Sequence, residues 1–65
     1  MIPLTRLNGE QFVLNAQLIR TVEQTPDTVV RLTNGESVMV REHMNEIIDR
    51  VVEYERLLRG VVMQS

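Results

Sequence analysis

No cysteine occurs anywhere in the chain. That excludes a disulfide staple and any metal site built on thiolates. A single histidine leaves a metal to carboxylates alone. Two aromatics, Phe12 and Tyr54, are too few for the stacked platform on which single-stranded nucleic acid is usually held. Of the three glycines, two stand in hairpin turns and one near a helix end, so none forms a phosphate-cradling loop. No stretch approaches the roughly 20 apolar residues of a membrane helix. The opening Met1-Ile2-Pro3-Leu4-Thr5-Arg6 lacks the charged lead and apolar run of a secretory signal. The expectation is a cytoplasmic protein with no membrane span. Lysine is also missing: all seven basic residues are arginines, dispersed among nine acids for a net charge of −2. A dispersed acidic balance gives no general pull on nucleic acid, although two or three arginines suffice for a small RNA site. A chain of 65 residues buries only about 60% of its unfolded surface. Close packing and self-association are the devices left to it, so a homo-oligomer is expected.

What is present begins with a phrase written nearly twice. Arg6-Leu7-Asn8-Gly9-Glu10 returns as Arg31-Leu32-Thr33-Asn34-Gly35-Glu36, each copy followed by apolar residues. Asn-Gly between such runs signals a two-residue type I′ hairpin turn, with positive φ at both central positions. The strands expected around the turns are Ile2 to Leu7, Glu10 to Leu14, Leu18 to Glu23, Thr28 to Thr33 and Glu36 to Val40. In the third, simple alternation puts Leu18, Arg20 and Val22 on one face and Ile19 and Thr21 on the other. Asn15-Ala16 reads as a turn, and Pro26-Asp27 as the corner of a type I turn. The extra Thr33 puts Arg31 on the opposite pleat from Arg6 relative to its turn. One conflict stands in this reading. A two-residue turn sets Leu32 opposite Ser37 and Val38 opposite Arg31, which places apolar groups on both faces. Either a bulge shifts the register or both faces are partly buried.

From Glu42 the period changes. Met44, Ile47, Ile48, Val51, Val52, Glu55 and Leu58 follow helical spacing, with only Glu55 interrupting an apolar stripe. The helix is expected from about residue 43 to about residue 59, stopped by Gly60, with an apolar tail over 61–65. That tail reads as a frayed end or as a partner contact. The whole is one α+β domain over 1–65: a small antiparallel sheet of four to five short strands with two Asn-Gly hairpins, then one C-terminal amphipathic helix.

Catalytic constellations are hard to assemble from these residues. His43 falls at the helix start, where an exposed or capping role suffices for it. Asp27 has turn chemistry to perform. Glu46, Asp49 and Glu53, interleaved with Arg50 and Arg56, read as a solvated helix face with i,i+4 pairs. Phe12 reads as core, and Tyr54 as a packed ring with a wet hydroxyl. The expectation is a protein that is not an enzyme and carries no cofactor.

Several of these residues form a recognisable series. Met1-Ile2, Leu4-Thr5-Arg6-Leu7-Asn8-Gly9, Leu14-Asn15, Leu18-Ile19, Thr25-Pro26-Asp27-Thr28, Leu32, Asn34-Gly35, Val40, Glu42, Ile47, Arg50-Val51 and Tyr54 resemble the FlbD/SwrD family of small flagellar and swarming motility proteins. The resemblance runs from Met1 to about Leu58. It implies a non-enzymatic bacterial motility factor acting through protein–protein interaction, with support of flagellar motor power as its role. Its partner is then a flagellar or motility-regulating protein. Rigid loops tend to carry function, so the expected contact surface is Arg6, Asn8, Gly9, Thr25, Pro26, Asp27, Thr28, Asn34 and Gly35. Two positions depart from the family pattern. Ala16-Gln17 replaces a frequent Pro-Asp, and Glu42-His43 stands where a Ser or Thr helix cap is common, a loss of about 1 kcal/mol.

A second likeness crosses the first. Leu4-Thr5-Arg6, Gly9-Glu10 and Val40-Arg41-Glu42 ahead of a helix are similar to the carbon storage regulator (CsrA) family of RNA-binding proteins, which have five strands, a C-terminal helix and intertwined dimers. It implies, as the alternative, a post-transcriptional regulator that binds RNA through Arg6 and Arg41.

Overall fold

The computed structural model describes the backbone of residues 1–63 and the side-chain surroundings of residues 1–60. Five strands come first: β1 (Ile2–Thr5), β2 (Gln11–Leu14), β3 (Ile19–Gln24), β4 (Thr28–Leu32) and β5 (Ser37–Val40). One helix, α1 (Met44–Met63), follows. β1 and β2 form one antiparallel pair, and β3, β4 and β5 a second antiparallel sheet in that order. The two sheets meet at a single bridge, Arg6 opposite Val40. Beside it the Arg41 N–H donates to the Thr5 carbonyl at 2.8 Å. The α+β class, the short strands and the C-terminal helix are therefore those expected from the sequence.

The turns differ from expectation in an instructive way. In the first, the Arg6 N–H donates to the Glu10 carbonyl at 2.8 Å and the Gly9 N–H to the Arg6 carbonyl at 2.9 Å. The loop is thus Leu7-Asn8-Gly9, one residue longer than a type I′ hairpin. Only the glycine is left-handed, with φ 94° at Gly9 and 90° at Gly35, and among the described residues no other type has positive φ. Thr33-Asn34-Gly35 repeats the device, with Leu32 N–H to Glu36 carbonyl at 2.8 Å and Gly35 N–H to Leu32 carbonyl at 3.0 Å. Each is a type I turn closed by a glycine bulge. The asparagines prefer this form because their side chains serve the chain just ahead. Asn8 Oδ1 accepts from the Glu10 N–H and Asn34 Oδ1 from the Glu36 N–H, both at 2.9 Å.

The added residue moves the register by one and settles the conflict over burial. Thr28 now faces Val40, Val30 faces Val38, and Arg31 faces Ser37. Val30, Leu32 and Val40 consequently share the inner face and are buried. A second irregularity lies in β3, where Ile19 faces Leu32 but Thr21 faces Arg31. Arg20 is the extra residue. The bulge turns Ile19 and Val22 to the same side, against the core, where simple alternation would have separated them. Over 15–18 the chain makes a 3-10 turn, with Asn15 Oδ1 accepting from the Gln17 N–H at 3.1 Å.

The core gathers Ile2 and Leu4 of β1, Leu14 of β2, Val30 and Leu32 of β4, Val40 of β5 and Ile47 of α1. Phe12, Val51 and Tyr54 pack around it, half-buried. The expected stop at Gly60 does not occur. α1 continues to Met63, and Gly60 lacks the left-handed φ that a terminating glycine adopts. An interior glycine costs about 1 kcal/mol, which the backbone hydrogen bonds of another turn offset. The tail expectation falls otherwise outside the described residues, as do the side chains over 61–65.

Candidate functional site

Two features position the surface: a seam where α1 is fastened to β1, and the end of the molecule where three segments converge.

The seam arises because β1 and β5 touch only at the Arg6–Val40 bridge and then part. Beyond it, the backbone of β1 has no strand on that side. Side chains take the missing strand's place. Glu42 Oε1 accepts from the Thr5 N–H at 2.9 Å, and Oε2 accepts from the Thr5 hydroxyl at 2.9 Å. Arg50 Nη1 donates to the Pro3 carbonyl at 2.7 Å and to Glu42 Oε2 at 3.2 Å. Pro3, with no N–H to satisfy, fits this open edge. Glu42 is a buried carboxylate. Burial alone pushes its pKa up, but the hydrogen bonds from Thr5 and from Arg50 outweigh that and hold it below the usual glutamate range. The charge is therefore kept. Beside the seam opens a cleft of about 480 Å³ between Thr5, Phe12, Val13 and the Glu42–Arg50 pair.

The helix start is fastened from β3. His43 is the N-cap, its carbonyl accepting from the Glu46 and Ile47 N–H groups. Two side chains serve N–H groups at this helix start. Gln24 Oε1 accepts from the Met44 N–H at 2.9 Å, while Glu46 Oε1 accepts from the His43 N–H at 3.2 Å. Gln24 Nε2 also meets His43 Nδ1 at 3.0 Å. The Met44 N–H is thus served by a residue twenty positions away.

At the converging end, Leu7 of the first hairpin loop, Pro26 and Asp27 of the β3–β4 loop, Arg41 and His43 surround a shallow cleft of about 260 Å³. Arg41 Nε donates to the Leu7 carbonyl at 3.0 Å. Its guanidinium lies over Gly9, where an added Cβ would meet it at 3.6 Å. The loop is braced by this contact. In the β3–β4 loop the Thr25 N–H donates to the Asp27 carbonyl at 3.2 Å and the Thr25–Pro26 bond is cis.

The structure places the expected contact residues as follows. Leu7 of the first hairpin loop lines the cleft with Pro26 and Asp27, and Gly9 lies under the Arg41 guanidinium. Thr25 is exposed there, whereas Thr28 is buried and faces the core. Asn34 and Gly35 lie at the other end of β4, away from the rest. Arg6 lies over the Phe12 ring, 4.3 Å from its centroid, with Nε 3.3 Å from Glu10 Oε1. Arg6 faces Val40 across the bridge, so Arg6 and Arg41 leave the strand pair on opposite sides. Gln24, Glu42 and Arg50 escaped sequence reasoning. Glu42 was legible only as a member of the family series standing where a helix cap is common, and Arg50 only as a member of that series and a solvated helix charge.

Among the described residues no group of three His, Asp or Glu side chains is placed to hold a metal ion, and no helix is long and apolar enough to cross a membrane. The fold is that of a small α+β module with one helix after five short strands. The family model for flagellar and swarming motility proteins, FlbD, matches residues 1–58, and the chain belongs to that family. No curated protein and no solved structure matches the chain.

Proposed function

We propose that the protein is a non-enzymatic motility factor that works in the cytoplasm as a homo-oligomer and binds a protein of the flagellar machinery, supporting motor output. The observation that carries this reading is the family match, which spans every strand and the helix through Leu58. The braced end made by Leu7, Asn8, Gly9, Pro26 and Asp27 is the contact surface. Its loops are held by the Arg41 and Asn8 hydrogen bonds, so presenting them to a partner costs little ordering entropy. Leu7 adds an exposed apolar group and Asp27 a charge, the combination of an anchor with a polar rim. The role of Asn34 and Gly35 reduces to turn formation.

The test is complementation of a strain lacking this protein with the Leu7→Glu and Asp27→Arg variants. Both positions are exposed, so the variants should fold. Filament number per cell should stay normal while single-motor rotation under load falls. Full rotation with both variants present together refutes this surface. Sparse filaments in the deletion strain refute action at motor output and place the protein in assembly or expression.

A further inference from the structure

α1 has 20 residues, about 30 Å of helix, in a molecule 42 Å long and only 22 by 18 Å across. The sheets cover its apolar stripe unevenly. Ile47 is fully buried, yet Ile48 remains 47% exposed and Val52 42%. These two do not face open solvent on a polar helix side. They form one wall of an apolar groove of about 320 Å³ whose other wall is β3, through Ile19 and Val22. β3 is the outermost strand of its sheet, so the groove runs along an unpaired edge. Such edges invite a further partner.

Two charges, one on the rim of this groove and one further along the stripe of α1, have no ion-pair partner among the described residues. Arg20, the bulge residue of β3, stands on the rim and makes no ion pair among the described residues. Glu55 interrupts the apolar stripe of α1 and likewise pairs with no arginine. β3 and α1 run in opposite directions, because Gln24 touches His43 and Met44. Arg20 therefore stands toward the Val52 part of the groove.

We infer that the groove receives α1 of a second copy of this chain, laid antiparallel to the first across a two-fold axis near Val52. In that arrangement Val52 of each helix packs on Val52 of the other, and Ile48 of each lies against the methylene stem of the partner's Arg56. Glu55 of each copy then reaches Arg20 of the other, and the symmetry forms the pair twice. The residue that breaks the stripe in a monomer becomes the one that sets the register of the dimer. The complementary charge comes from the chain itself, which favours a second copy over an unrelated apolar partner. This inference deepens the homo-oligomer reading above and is independent of any flagellar partner.

The experiment is sedimentation equilibrium of the full chain over a concentration series, with circular dichroism as the control for folding. The wild-type chain should dimerise. Ile48→Asp, at a half-exposed site that does not threaten the core, should be a folded monomer. Arg20→Glu and Glu55→Arg should each weaken the dimer about fivefold, and the double variant should return to within about twofold of wild type. A wild-type monomer at every concentration overturns the homo-oligomer altogether. A dimer indifferent to Ile48→Asp overturns this interface alone. A double variant no better than the single ones overturns the Arg20–Glu55 contact.

Discussion

Replacing Glu42 by glutamine tests the seam with almost no change in shape. The carboxylate accepts three hydrogen bonds, from the Thr5 N–H, the Thr5 hydroxyl and Arg50. A glutamine carbonyl keeps the first. Its amide then faces a hydroxyl, which can turn and accept, and a guanidinium, which cannot. One charge-assisted bond is lost and two donors are left opposed, a loss of about 2 kcal/mol for a buried site. The Arg50 side chain is 36% exposed, so water recovers part of this, and about 1.5 kcal/mol remains. A chain of this length has only about 3–10 kcal/mol in total. The melting temperature should therefore fall by about 6–12 °C.

The pH dependence separates this account from a mere packing defect. Glu42 is held below its ordinary value in the folded protein. Its contribution is fully present above the unfolded glutamate value, about 4.3, and is lost as pH falls through the lower folded value. Wild-type and Glu42→Gln chains should thus differ most near neutral pH. The gap should close on acidification, measured by urea unfolding across the carboxylate range. The other acids titrate in both chains and cancel in the difference. A gap that is constant with pH, or no gap near neutrality, refutes the reasoning.

Two further substitutions probe the turns and the cap. Gly9→Ala and Gly35→Ala each force alanine into a left-handed backbone and should destabilise by about 1 kcal/mol each. The contact added at Gly9 is an ordinary 3.6 Å approach to Arg41, so a much larger loss at Gly9 in chemical denaturation would contradict the equality. Gln24→Ala removes the acceptor for the Met44 N–H and should cost about 1 kcal/mol, like loss of a helix cap. The same substitution in a chain carrying His43→Ser should cost about the same, because a serine there accepts from the Asn45 or Glu46 N–H and leaves the Met44 N–H unserved.

The sequence was informative wherever one residue type answers one local demand. Asn8-Gly9 and Asn34-Gly35 announced turns because only glycine takes the left-handed position at low cost, and the apolar spacing from Met44 announced α1. It misled wherever a single residue slips the pairing. Both loops contain one residue more than the tightest hairpin, and Arg20 adds one to β3. Period-two alternation has no means of marking an inserted residue, so Ile19 and Val22 were assigned to opposite faces although both meet the core. The candidate surface was half legible. Pro26 and Asp27 share a cleft with Leu7, the neighbour of Asn8-Gly9, but Asn34 and Gly35 belong to the other end, because a strand the length of β4 separates its two loops. Glu42, Arg50 and Gln24 were not legible, since each acts on backbone far away in the chain.

Those distant contacts follow from one geometric fact. Small sheets twist, so β1 leaves β5 after a single bridge and exposes backbone that water would otherwise have to satisfy at a buried edge. A longer protein can lay another strand there. This one closes the gap with Glu42 and Arg50, the residues at which the chain leaves the sheet and completes the first turns of the helix. The seam consequently fixes the direction of α1. It sets how the first half of the helix, which carries Ile48 and Val52, lies against β3, and there the two residues meet the strand only across a groove. Weakening the seam should therefore loosen self-association as well as stability: Glu42→Gln, kept folded below its melting temperature, should dimerise more weakly than wild type although it touches no residue of the groove. Equal dimerisation of the two chains would show that α1 is positioned by Ile47 in the core and not by the seam.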